Sequence, residues 1–232
     1  MAENLQEFHA RVDGFQQYSL PHDGGFSTSA GLICKVDEWG NMKPYFGNTV
    51  IYELPDQVKL ALCQRQVLLH HRMGACLAVP LKTDTFHITL HDLISSPDKH
   101  SIAHDIECTG ENAKRLLEEL RCLKLPQVHM VSTHVFSMVN TSIVMGFAPE
   151  SEADCNLLMG LYEDFQSVCP LNWGLTPHVT LAYYKPGYYG QEWVEELNRV
   201  FMEAEDMGQI HIQLSTEDLF YRTFQNMNTY CP

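Results

Sequence analysis

The chain is poor in positive charge. Its 232 residues carry 15 Lys and Arg against 29 Asp and Glu, a formal net charge of −14. Proteins that track long duplex DNA or RNA neutralise phosphates with Lys and Arg, so this balance argues against that class of partner. The same electrostatics disfavour an anionic membrane surface. A small phosphorylated ligand stays within reach, because it needs only a few local donors. Long apolar runs are missing too, and nothing approaches the length needed to span a bilayer. The opening stretch MAENLQEFHARVDG lacks the basic start and apolar segment of a secretory leader, and a cytoplasmic setting is expected. The eight cysteines (34, 63, 76, 108, 122, 155, 169 and 231) include no Cys-x-x-Cys pair and no Cys/His zinc spacing. They predict buried free thiols in a reducing compartment. Low-complexity tracts are absent, and 45% hydrophobic residues suit a globular chain with a sizeable core.

What is present is an alternation of helical and strand patterns. Residues 3–18 read as a helix ended by LPHDGG, so residues 1–27 are expected to form an accessory element. GLICKV (31–36) reads as a short strand. In YFGNTVIYEL (45–54), Gly47 and Asn48 mark a turn before a β-branched and aromatic strand. A helix is predicted from Asp56, followed by strand segments CLAVPL and FHITLHDL around the turn-like KTDT. The second half repeats this grammar. A helix over NAKRLLEELRCLKL precedes two strands joined tightly at Asn140, then a helix with a serine start, the strand PHVTLAYY, a further helix and one or two closing strands. Close strand pairs imply antiparallel pairing and an α+β fold class. No linker divides residues 28–232, which are expected to form a single domain of two related lobes.

Two phrases stand out: HITL at 87–90 and HVTL at 178–181. At average composition, His-aliphatic-Thr-Leu follows a given histidine far less than once in a hundred, and the other ten of the twelve histidines show nothing similar. Strict strand alternation puts His87, Thr89 and His91 on one face, and His178, Thr180, Ala182 and Tyr184 on one face of the second copy. Ile88, Leu90, Val179, Leu181 and Tyr183 then point to the core. Were the two polar faces to meet, two imidazoles and two hydroxyls would converge. Imidazole titrates near neutrality, so one ring can accept a proton while the other donates one. Threonine hydroxyls, on stiff β-branched side chains, suit a phosphate oxyanion. No metal site is expected: neither phrase carries a carboxylate before Asp92, and His87 and His91 would lie about 13 Å apart on a strand, too far to share an ion. Further candidates for substrate contact are His91, Tyr184 (as a base-stacking ring), Arg72 (as a phosphate partner), Asn48 and Thr49. Each also has a structural reading. Trp39, Trp173 and Trp193 read as packing residues.

The paired phrases, roughly ninety residues apart, resemble the 2H phosphoesterase superfamily, which includes bacterial 2′-5′ RNA ligase-like proteins and cyclic phosphodiesterases. The resemblance covers the chain from about residue 28 onward. YFGNTVIYEL, ahead of FHITL, is similar to a LigT-like subgroup with Gly-Asn-Thr-Val before its first motif. The resemblance implies a bilobal α+β fold with pseudo-two-fold symmetry, two antiparallel-rich sheets around a central cleft, and no cofactor or metal. It makes His87 and His178 the catalytic pair and Thr89 and Thr180 the phosphate-binding hydroxyls. The implied activity is that of a metal-independent phosphodiesterase acting on a 2′,3′-cyclic nucleotide, a 2′-5′-linked oligonucleotide or a related cyclic phosphate. RNA processing is a further option, and a non-catalytic nucleotide or RNA-end binding protein is the alternative. A monomer acting on a small nucleotide or short oligonucleotide is expected.

Overall fold

In the computed structural model, which describes residues 3–17, 20–21 and 23–232, most of the predicted elements form. In chain order they are α1 (Leu5–Gln17), β1 (Phe26–Ser27), β2 (Phe46–Glu53), α2 (Asp56–Met73), β3 (His87–Ser96), α3 (Ala103–Cys122), β4 (Val128–Met138) and β5 (Ser142–Pro149). They continue with α4 (Glu152–Gln166), β6 (His178–Tyr183), β7 (Tyr188–Tyr189), α5 (Gln191–Glu205), β8 (His211–Leu214), β9 (Leu219–Asn226) and β10 (Thr229–Cys231). Two four-stranded antiparallel sheets organise the molecule, with strand orders β10-β9-β2-β3 and β6-β5-β4-β8. The fold is α+β and two-lobed, as expected. The two phrases begin β3 and β6, each an edge strand of its own sheet, and the two edges approach each other.

Local chemistry explains several boundaries. Ser151 caps α4 by accepting the backbone N–H of Asp154 at 3.2 Å, a contact whose loss typically costs about 0.5–2 kcal/mol. The β4–β5 connection puts Val139 and Asn140 at φ 44° and 56°, matching the two left-handed residues that a tight hairpin turn requires. Asn tolerates this conformation. Val139, being β-branched, is strained there.

Other expectations fail locally. Residues Ala30–Cys34 form a short 3-10 helix rather than a strand. CLAVPL forms no strand, with only an isolated bridge from Leu77 to Tyr184. Gly47 and Asn48 lie within β2 rather than in a turn. The helix α3 begins at Ala103, nine residues before the apolar spacing announced it. All eight cysteines are free, as expected, but not all are buried: Cys108 and Cys122 are exposed while Cys76 and Cys155 are buried. The helix α1 packs on α4 and β4 through Phe8 and Val12, both buried, and β1 pairs with β7. Expectations for residues 1, 2, 18, 19 and 22 lie outside the described residues. Among the described residues no helix is long and apolar enough to cross a membrane.

Candidate active site

Both phrases start as alternation predicts. His87 and Thr89 face the same cleft as His178 and Thr180, while Ile88 and Val179 are buried on the opposite side. The cleft has a volume of about 710 Å³ and takes side chains from both lobes.

Alternation then breaks at the same place in each copy. In β3, Ile51 pairs with Thr89 and Val50 with His91, so Leu90 is an extra, unpaired residue. In β6, Val144 pairs with Thr180 and Ile143 with Ala182, so Leu181 is the extra residue. A β-bulge inserts one residue and re-aims the side chains beyond it. After each leucine the faces therefore exchange. His91 and Tyr184, expected on the cleft face, are buried in the core, with Tyr184 0% exposed. The His91 ring sits 5.1 Å from Tyr162 and 6.1 Å from Phe165, and its Nδ1 donates to the Asp92 carbonyl at 2.6 Å. Tyr184 packs 5.4 Å from Phe26 and 6.0 Å from Tyr189. Asp92 and Tyr183 take the cleft positions instead.

The other candidates also have structural partners. Arg72 is bound by Glu196 and Glu203 of α5 at 2.6–3.0 Å and does not line the cleft. Asn48 and Thr49 border the cleft, but their polar atoms stitch β3 together. A second register shift separates the Gly47 and Thr49 pairings, and there the Asn48 Oδ1 accepts the Ile94 N–H at 3.0 Å. The Asn48 amide donates to the Ile106 carbonyl, Thr109 Oγ1 and Tyr221 hydroxyl at 2.9–3.2 Å. The Thr49 hydroxyl donates to the His91 carbonyl at 3.1 Å, beside the first bulge. Gly47 belongs to the same device: a Cβ there would lie 2.3 Å from the Ile94 carbonyl oxygen and 2.4 Å from Phe224. The Gly-Asn-Thr segment thus supports an irregular strand of the site by contacts within the fold.

The two histidines are oriented alike. His87 Nδ1 lies 2.7 Å from the Thr85 carbonyl, and His178 Nδ1 lies 2.7 Å from the Thr176 carbonyl. A carbonyl only accepts, so Nδ1 carries the hydrogen in each ring and the neutral form keeps its lone pair on Nε2. Burial lowers the pKa of both. His87 falls to about 4, pushed further down by His178 and Lys59 and partly restored by the Thr85 carbonyl and Glu53. His178 is also lowered by burial, against upward pulls from the Thr176 carbonyl and Asp92. In the free protein both rings are neutral near pH 7.

Sequence reasoning missed several cleft residues. Tyr230 of β10 sets its ring 4.8 Å from His87, edge-on. Lys35 lies 5.1 Å over the Tyr45 ring, and burial lowers its pKa against the attraction of Asp92. Trp173, read as a packing residue, is 60% exposed at the cleft, with its carbonyl accepting from the Tyr162 hydroxyl; Trp39 is likewise exposed. Trp193 alone of the three packs on the core. None of these positions carries a periodic or motif signal.

Arg11 of α1 links the N-terminal helix to the site. It is paired with Glu3 at 2.7–2.8 Å, and it donates to the Leu175 carbonyl at 2.8 Å and the Thr176 hydroxyl at 3.3 Å. Thr176 in turn holds the His178 ring through its carbonyl. Arg11→Leu is therefore expected to shift the His178 Nδ1–H resonance while leaving that of His87 in place, with Arg11→Lys recovering part of the change. Equal shifts at both rings, or none, would show that Arg11 does not position His178.

No protein-family model and no curated protein matches this sequence. Solved structures do. A conserved protein of unknown function from Agrobacterium tumefaciens matches with a TM-score of 0.66 at 18% identity, over 88% of this chain and 91% of that one. LigT of Escherichia coli in complex with 3′-AMP matches with a TM-score of 0.45 at 13% identity, over 81% and 95% of the two chains. Usb1 of Kluyveromyces marxianus with uridine monophosphate gives 0.42 at 12% identity, over 84% and 97%. At such identities the likeness is one of fold, and the chain shares the α+β fold of the Agrobacterium protein.

Proposed function

We propose that this protein is a 2H-type phosphoesterase that hydrolyses a phosphodiester, such as a 2′,3′-cyclic nucleotide, a 2′-5′-linked oligonucleotide or a related cyclic phosphate, without a metal. The observation that carries this reading is the matched pair of imidazoles, each with Nδ1 tied to the carbonyl two residues earlier and each sharing the cleft with its threonine. Thr89 and Thr180 donate hydrogen bonds to the non-bridging phosphate oxygens. One Nε2 takes the proton of the attacking water as the new P–O bond forms. The other ring, as imidazolium, protonates the departing ribose oxygen as the old P–O bond breaks. Asp92 favours positive charge on His178, whereas His178 and Lys59 disfavour it on His87 against a weaker pull from Glu53, so we assign His178 as the acid and His87 as the base. The bound phosphate anion supplies the attraction that keeps the acid protonated.

The test is a panel of 2′,3′-cyclic nucleotides, 2′-5′ oligonucleotides and ADP-ribose cyclic phosphate, assayed with and without EDTA. At least one compound is expected to be hydrolysed at a rate that chelation leaves unchanged. Loss of activity with EDTA and recovery with a divalent ion would refute the metal-free reaction, and nucleotide binding without turnover across the panel would identify a binding protein.

The pH dependence comes from the lowered histidines. The profile of kcat/KM reports the free protein, in which the singly protonated pair is required. Above the higher of two pKa values that both lie below 6.5, that form is lost by a factor of ten per pH unit. The kcat/KM optimum is thus expected below pH 6.5, and the kcat optimum at higher pH because the bound anion raises the acid's pKa. A kcat/KM that climbs steadily to pH 8 is the contrary result.

A further inference from the structure

The cleft contains a carboxylate that the proposed two-histidine chemistry does not require as a proton donor or acceptor. Asp92 reaches the cleft only because the bulge at Leu90 reverses the faces of β3. The corresponding position in β6, two residues past the matching bulge, is filled by Tyr183, a buried phenol that hydrogen-bonds to Thr180. The site is therefore symmetric in its histidines and threonines and asymmetric in charge.

The two basic side chains that line the cleft, Arg11 and Lys35, are already engaged, and Lys59, which acts on His87, lies outside the lining. Arg11 is held by the Glu3 carboxylate and by two oxygens of the loop before His178. Lys35 sits over the Tyr45 ring and within the field of Asp92. Both histidines are neutral near pH 7 in the free protein. The Thr hydroxyls and one imidazolium suffice for a phosphodiester monoanion. A second phosphate, with a charge of about −1.5 to −2, would meet the Asp92 carboxylate with no uncommitted cation among the described residues of the cleft to offset it.

We propose that Asp92 is a specificity-determining residue that restricts the cleft to ligands bearing a single phosphate and presenting hydrogen-bond donors, such as a ribose hydroxyl or a base amine, toward its carboxylate. This rests on the nucleotide reading of the cleft given above. A carboxylate accepts such donors readily and repels a neighbouring anion.

The experiment is calorimetric binding of adenosine 3′-monophosphate and adenosine 3′,5′-bisphosphate to the wild-type protein, Asp92→Asn and Asp92→Ser, at low salt and one pH. Circular dichroism checks that each variant is folded. Comparing the two ligands on one protein removes the part of any Asp92 effect on His178 that falls on the phosphate they share, and repeating the comparison in His178→Ala removes the remainder. Wild type is expected to prefer the monophosphate roughly tenfold, and both variants to lose most of that preference, chiefly by binding the bisphosphate more tightly. A bisphosphate that binds wild type as well as or better than the monophosphate overturns the proposal, as does an undiminished preference in the variants; in either case the phosphoesterase reading stands. If wild type binds neither nucleotide, this proposal fails, while the phosphoesterase reading is decided separately by the hydrolysis panel.

Discussion

Replacing His87 or His178 with alanine is expected to lower kcat on the accepted substrate by roughly 10²–10⁴-fold, the usual contribution of a positioned general acid or base. The two losses should not add in the double variant. A proton removed with no partner to return one leaves either half of the pair nearly as poor as neither, as happens when residues act as a unit. Substrate affinity should change much less, because the threonine hydroxyls remain. The measurement is steady-state kinetics of the two single variants and the double variant. A single variant that keeps wild-type kcat, with only KM raised, would demote that histidine to a binding group. Stability should barely respond, since each ring makes one backbone hydrogen bond and lines an open cleft.

Asn48→Ala should do the reverse. Its side chain accepts from Ile94 N–H and donates to Ile106, Thr109 and Tyr221, all within a site where Asn48 is 1% exposed. Removing it strands several polar groups away from water, at about 1–3 kcal/mol for each one left unpaired. A total loss of about 2–4 kcal/mol is expected, lowering Tm by roughly 5–15 °C at about 2–4 °C per kcal/mol. Thermal and urea unfolding would show it. Intact stability combined with a raised KM would instead make Asn48 a substrate contact, the role considered for it from sequence.

The contrast between these residues shows what was legible in the sequence. Periodicity found α2, α4, α5 and the β4–β5 hairpin because each buries a continuous face or has a clear cap or turn. The histidines and threonines could be placed because they precede the bulges. His91, Asp92, Tyr183 and Tyr184 could not, since one inserted residue in a strand leaves no mark on composition and reverses every later assignment. GLICKV failed for another reason: β propensity reflects the surface that a segment packs on, and here that surface is not a sheet. Arg11, Lys35 and Tyr230 enter the cleft through tertiary packing alone, and no local rule names them.

The strand order also constrains when the cleft can form. The sheet holding HITL is begun by β2 and β3, at residues 46–96, yet β9 and β10, at residues 219–231, complete it. Until they arrive, one side of β2 has no ladder partner and His87 has no Tyr230 beside it. The other sheet, by contrast, pairs β4, β5, β6 and β8 from residues 128–214. During synthesis this second lobe has its strands together first, and the earlier-made lobe must wait for a long loop to close before its non-local pairing stabilises it. A growing chain therefore leaves β2 with an open edge until β9 is made.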